Sequence, residues 1–134
     1  MKIRKHLISD TSEIIALYKA CFSTHPWNQP VSLEEATKRW EEHSNMRGFS
    51  CFVATIYGKL IGASWYNVIS IDELTSERGS EIAEFISRIG LYDTYVWIRE
   101  TIIASKHQGK GIASSLKRAV MKEITEYHTP AILI

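Results

Sequence analysis

Cysteine, proline and glycine are scarce in this chain, at 2, 3 and 7 of 134 residues. Two cysteines, Cys21 and Cys51, stand in no motif, which excludes a disulfide scaffold and reads as a reduced pair in a cytoplasmic protein. So few prolines and glycines leave no collagen-like repeat, low-complexity tract or flexible linker, and the length suits one domain, 1–134. No apolar run approaches the roughly 18 residues of a membrane span, so no membrane partner is expected. The start, MKIRKHLISD, carries charge but no apolar stretch of the kind a secretory signal needs. Five histidines, at 6, 25, 43, 107 and 128, show no ligand spacing, and no metal is expected. One-signed charge is also missing. Residues 1–103 carry a net −2 and residues 104–134 a net +3, too small a basic excess for a nucleic-acid footprint but suited to a small polyanion.

What is present reads as a mixed α/β pattern. Residues 2–8 form an opening strand. Asp10-Thr11-Ser12-Glu13 and Ser32-Leu33-Glu34-Glu35 each spell a capping box, the second opening a helix with Leu33, Ala36 and Trp40 inside. Phe49–Tyr57 and Leu60–Ile69 flank Gly58-Lys59 as an antiparallel hairpin with a type II′ turn. A short helix is expected over 79–90, ended by Gly90, then a long strand over 94–105. Ile112, Leu116, Val120 and Ile124 give the core stripe of a strong helix, which Pro130 stops before a last strand, 131–134. The order β-α-α-β-β-(α)-β-α-β ends in a unit whose two strands run parallel. Trp65 and Trp97 read as sheet aromatics, and His107 as a solvent-side loop residue.

The chemistry lies between the long strand and the long helix. Lys106-His107-Gln108-Gly109-Lys110-Gly111-Ile112-Ala113-Ser114-Ser115 sets a glycine-bearing turn at a helix start. Unpaired amides and the helix dipole there favour a phosphate or pyrophosphate, the glycines admit close approach, and Lys110, Ser114 and Ser115 add donors. A Walker A loop fails at Ala104 and Gly111, and a dinucleotide fingerprint fails at Ser114.

The segment resembles the acetyl-CoA loop of the GCN5-related N-acetyltransferase (GNAT) superfamily, Gln/Arg-x-x-Gly-x-Gly/Ala, through Gln108, Gly111 and Ala113. Gly62 in the hairpin, Glu100-Thr101-Ile102-Ile103 before the loop, and Pro26-Trp27-Asn28 between the first helices extend the likeness. The resemblance implies a GNAT-like mixed sheet with acetyl-CoA as co-substrate. It implies that the amides of Gly109, Lys110, Gly111, Ile112, Ala113 and Ser114 cradle the pyrophosphate. The backbone of Ile102, Ile103 and Ala104 would pair with pantetheine and polarise the thioester, and Trp27 and Asn28 would border the acceptor, a small-molecule or peptide amine. Glu100 would take the proton of the attacking amine; the alternative is a surface carboxylate paired with Arg99 or a cross-strand lysine. A family domain continues beyond 131–134 with a helix, often bearing a tyrosine near the sulfur, and two strands. Tyr127 is a poor substitute for it, and the apolar edge at 131–134 is expected to be covered by further chain or by a second copy as a homo-oligomer. A non-catalytic acyl-CoA-binding module is the competing reading.

Overall fold

The computed structural model describes residues 1–24, 27–89, 94–126 and 131–132, with backbone alone at 87, 89, 131 and 132. A single five-stranded sheet runs β1 (Lys2–Lys5), β2 (Ser50–Ile56), β3 (Lys59–Ser70), β4 (Thr94–Ile103), β5 (Ala131–Ile132), in that spatial order. Four strands are antiparallel, and β5 lies parallel to β4 through Val96↔Ala131 and Trp97↔Ile132. That parallel end is the one expected of the closing β-α-β unit. Gly90, Tyr127, Pro130, Leu133 and Ile134, on which other expectations rested, lie outside the described residues.

Helices cover both faces. On one side α1 (Thr11–Ser23) and α2 (Leu33–Ser44) bury Ile14, Leu17, Tyr18, Ala36 and Trp40 against Val53, Ala63, Trp65 and Ile102. Further along that face, α3 (Ile71–Arg78) and α4 (Ser80–Ile89) set Leu74 and Ile86 on Ile69 and Trp97. On the other side α5 (Ile112–Glu126) lays the anticipated stripe Ile112, Leu116, Val120 and Ile124 against Ala54, Ile61, Tyr66, Val96 and Ile98. Gly62 permits this approach, since a Cβ there would stand 2.9 Å from Ile103 Cδ1 and 3.3 Å from Leu116 Cδ1.

Several local expectations shift. Asp10 does not cap α1, because a preceding turn over Ile8–Asp10 already gives it helical backbone (φ −80°, ψ −12°). Its carboxylate turns back to accept from the Leu7 amide (2.6 Å) and from both Arg4 nitrogens (2.8 and 3.0 Å), and the Arg4 bonds hold it down to about pKa 2. Ser32, extended at ψ 160°, does cap α2, accepting from the Glu35 amide at 3.0 Å. Leu33 is 58% exposed, and His43 takes the inner place instead, with Ala36 and Trp40. The helix expected at 79–90 is α4, and a further helix, α3, precedes it across Gly79 (φ +89°), opening on a reciprocal cap between Ser70 and Glu73.

The hairpin turn sits one residue earlier than expected, on Tyr57 (φ +50°) and Gly58 (φ +77°), so it is of type I′. A bulge at Ala54/Thr55 absorbs the change of register. Tyr57 is fully exposed and strained. Tyr57→Asn therefore stabilises the fold by about 1 kcal/mol, seen as a rise of about 4 °C in Tm by thermal unfolding.

Candidate functional site

Past the end of β4 the chain makes one tight turn over Ser105–His107, then passes Gly109 (φ +76°) and Gly111 (φ +78°) into α5. Left-handed backbone at two glycines curls the segment so that successive amides face one side. The first intrahelical bond runs from the Ser115 amide to the Gly111 carbonyl (3.1 Å), so the amides of Ile112, Ala113 and Ser114 have no acceptor within the helix. A Cβ on Gly109 or Gly111 would meet no atom within 4 Å. These residues, with Thr101, Ile103, His107 and Gln108, enclose a cleft of about 310 Å³. The helix dipole gives that cleft a positive end. Lys110 is exposed and outside the lining, and Ser115 Oγ turns back to the Gly111 carbonyl at 3.1 Å, leaving Ser114 as the serine on the cleft. His107, expected on the solvent side, lines the cleft with a buried Nδ1 that has no partner among the described residues. Open space and clustered amides together fit an anionic ligand.

The edge of β4 next to this cleft alternates in a way the sequence does not reveal. The Ala104 amide donates to the Ile61 carbonyl of β3 at 2.8 Å. Strand alternation then turns the peptide groups of Ile102 and Ala104 toward β3 and those of Thr101 and Ile103 away from it. Of the three residues expected to serve a ligand's backbone, Ile103 alone has its amide free of the β3 ladder. Its carbonyl accepts from Gln108 Nε2 (3.3 Å) and from the Cys21 thiol of α1 (3.2 Å). Gln108 thus fastens the loop to the strand.

Glu100 is set by a bulge. Trp65 stands opposite Glu100 and Tyr66 opposite Ile98, so Arg99 is an extra residue on β4. The bulge turns Arg99 and Glu100 to the same face, that of α1–α4. Arg99 bonds to Glu77 and Asn67 rather than to Glu100. Burial pushes the Glu100 carboxyl up to about 7, with the Arg39 and Arg99 charges pulling the other way. Beside it Trp65 Nε1 donates to His43 Nδ1 at 2.9 Å, and Trp65 meets Trp40 edge-on at 5.2 Å between ring centres. Aromatic rings continue outward from Trp65 to Tyr18 (6.3 Å), Phe22 (4.6 Å) and Trp27 (5.6 Å). Trp27, 59% exposed, ends this wall; Asn28, at φ +47°, donates its amide to the Thr24 carbonyl at 2.8 Å. Pro26 lies outside the described residues.

His43 was legible in principle, because it continues the spacing of Ala36 and Trp40 by three residues. Its burial holds the imidazole down to about pKa 4, with Arg99 and Arg39 adding to the effect. The folded state therefore favours neutral His43, and that stability is complete above about pH 6.5 and is lost as pH falls toward 4. Between pH 7 and 4.5 the loss is about 2 kcal/mol. Urea unfolding at both pH values checks it, with His43→Gln, whose amide oxygen still accepts from Trp65, expected to lose less.

No family sequence model matches the chain, and no curated protein sequence matches it. Solved structures do. A GNAT family acetyltransferase from Brucella melitensis, in complex with acetyl-CoA, superposes with a TM-score of 0.67 at 16% identity, over 98% of this chain and 73% of the other. The fold is that of the GNAT acetyltransferases. A GNAT family acetyltransferase from Staphylococcus aureus matches at TM-score 0.65 and 16% identity, over 98% and 83% of the two chains. An aminoglycoside 6'-N-acetyltransferase from Acinetobacter haemolyticus matches at 0.68 and 10%, over 100% and 79%. In this GNAT fold no group of histidine, cysteine or carboxylate side chains among the described residues could hold a metal ion. No described helix is long and apolar enough to cross a membrane.

Proposed function

We propose that this chain is an N-acetyltransferase that moves an acetyl group from acetyl-CoA to a primary amine by direct attack. The observation that carries the reading is the set of amides of Ile112, Ala113 and Ser114 without a helical acceptor at the start of α5, behind two left-handed glycines and lining a cleft with Thr101 and Ile103 of β4. The pyrophosphate belongs at those amides, where the dipole and the glycine backbone lower the cost of holding two negative charges. The pantetheine arm belongs along Thr101 and Ile103, whose peptide groups face away from β3. The Ile103 amide is then the fixed dipole best placed to polarise the thioester carbonyl.

Glu100 supports the transfer itself. A primary amine is mostly protonated at neutral pH, so it must lose a proton before its nitrogen attacks the acetyl carbon. A half-buried carboxyl with a pKa near 7 is partly ionised at that pH and accepts the proton directly or through one water. The new C–N bond forms as the C–S bond breaks, and CoA leaves as the thiolate. Trp27, 59% exposed, with half-buried Phe22 behind it, gives the acceptor an apolar surface at the outer end of a row of rings whose inner members, Tyr18 and Trp65, are buried. A small-molecule or peptide amine suits it, and the aminoglycoside acetyltransferase among the structural neighbours supports the small-molecule case. Free cysteines at 21 and 51 support a cytoplasmic location.

Calorimetric titration with acetyl-CoA and, separately, ATP tests the site: acetyl-CoA binds and ATP does not compete. Thiol release with a panel of amines tests the reaction. Tight binding without turnover on any amine would favour a non-catalytic acyl-CoA-binding module.

A further inference from the structure

The bulge that turns Glu100 into the acceptor side also turns a cation there beside it. Arg99 and Glu100 are adjacent in sequence and share a face, an arrangement that invites them to pair. They do not. The Arg99 guanidinium lies 4.0 Å above the centre of the Trp97 ring, donates Nε to Asn67 Oδ1 at 2.6 Å, and forms a two-pronged pair with Glu77 of α3 at 2.7 and 3.0 Å. Only 9% of its side chain is exposed. Every part of the group has a partner on the α3 side, and the bidentate geometry fixes its plane.

We infer that Glu77 is a positioning residue for the transfer: by holding Arg99 across Trp97 it keeps that cation from closing on Glu100, which stays free to take the proton of the acceptor amine. This rests on the reading of Glu100 as proton acceptor. The charged and titratable groups acting on Glu100 are Arg39 from α2, Tyr18 from α1 and Arg99 from β4, while His43 of α2 and Glu77 of α3 act on Arg99. Both arginines draw the Glu100 carboxyl downward against its burial; the Glu77 pair fixes where Arg99 sits and so bears on how far Arg99 does so. Release of Arg99 converts a poised base into one half of an ion pair, and such a carboxylate is a poor proton acceptor.

Carboxyl ¹³C NMR titration of the full chain tests this without knowledge of the acceptor. The Glu100 resonance is assigned by its loss in Glu100→Gln. In Glu77→Gln the Glu100 midpoint falls by about one pH unit, a tenfold weaker proton affinity, and Glu77→Asp restores most of the difference. Arg99→Met moves the midpoint upward, the opposite direction. General loosening of the fold would move both variants alike. An unchanged Glu100 midpoint in Glu77→Gln, or shifts of the same sign in Glu77→Gln and Arg99→Met, overturns the inference. Thiol release by Glu100→Gln is read separately: undiminished turnover there removes Glu100 as the base, whereas the titration decides the role of Glu77 in either case.

Discussion

Gly111→Glu abolishes acetyl-CoA binding, with an expected loss of more than about a hundredfold in affinity. A Cβ at Gly111 meets open space, so the substitution extends a carboxylate from the loop at the proposed pyrophosphate site. Like charges at contact distance in a partly enclosed cleft repel strongly, and the amides then serve the new side chain instead of the ligand. A side chain at φ +78° also strains the backbone by about 1–2 kcal/mol, so the variant unfolds at a somewhat lower temperature while remaining folded. Gly111→Asn separates the two effects, since asparagine tolerates this conformation and adds no charge; it retains most of the affinity. Calorimetry on both variants, with thermal unfolding as the control, reads the result. Affinity within tenfold of the parent in Gly111→Glu would move the anion elsewhere.

Glu100→Gln slows acetyl transfer by about 10²- to 10⁴-fold, the range of a lost general base, and leaves acetyl-CoA affinity within about twofold. It also removes the fall in rate expected of the parent as pH drops through about 7, where Glu100 gains its proton. Stability moves the other way. The folded carboxyl pKa lies above its unfolded value of about 4.5, so the fold favours the protonated form, and stability is lost as pH rises from 4.5 through 7. Glutamine is neutral throughout, and the variant is therefore more stable than the parent at pH 8, by about 2 kcal/mol. A slower and more stable protein is the signature of a charge held in place for function. Thiol-release kinetics across pH and urea unfolding at pH 8 measure the two halves. An equal rate, or a large loss of acetyl-CoA affinity, would make Glu100 structural.

Local chemistry was legible from the chain alone. Gln108, Gly109, Gly111 and Ala113 announce a strand-to-helix turn suited to an anion, because glycine geometry, helix dipole and amide supply are properties of some ten consecutive residues. The stripe Ile112, Leu116, Val120 and Ile124 and the cap at Ser32 were readable for the same reason. The Asp10 cap was not, since Arg4 across the opening turn competes for the carboxylate that the local pattern assigns to the helix. Helix α3 is absent from the sequence reading, although Ser70 and Glu73 spell its cap as plainly as Ser32 and Glu35 spell that of α2.

The mixed α/β order and the glycine-bearing turn ahead of α5 are written in local patterns of the chain. Which peptide groups of β4 face away from β3 is settled by folding, because that parity follows from the pairing of Ala104 with Ile61 on another strand. Folding decided, too, that Glu100 is half-buried and near neutrality while Arg99 is tied to Glu77, 22 residues away. A bulge, a desolvated carboxyl and a cross-element ion pair are products of what the folded chain brings together, and residues far apart in sequence carry no local mark of meeting.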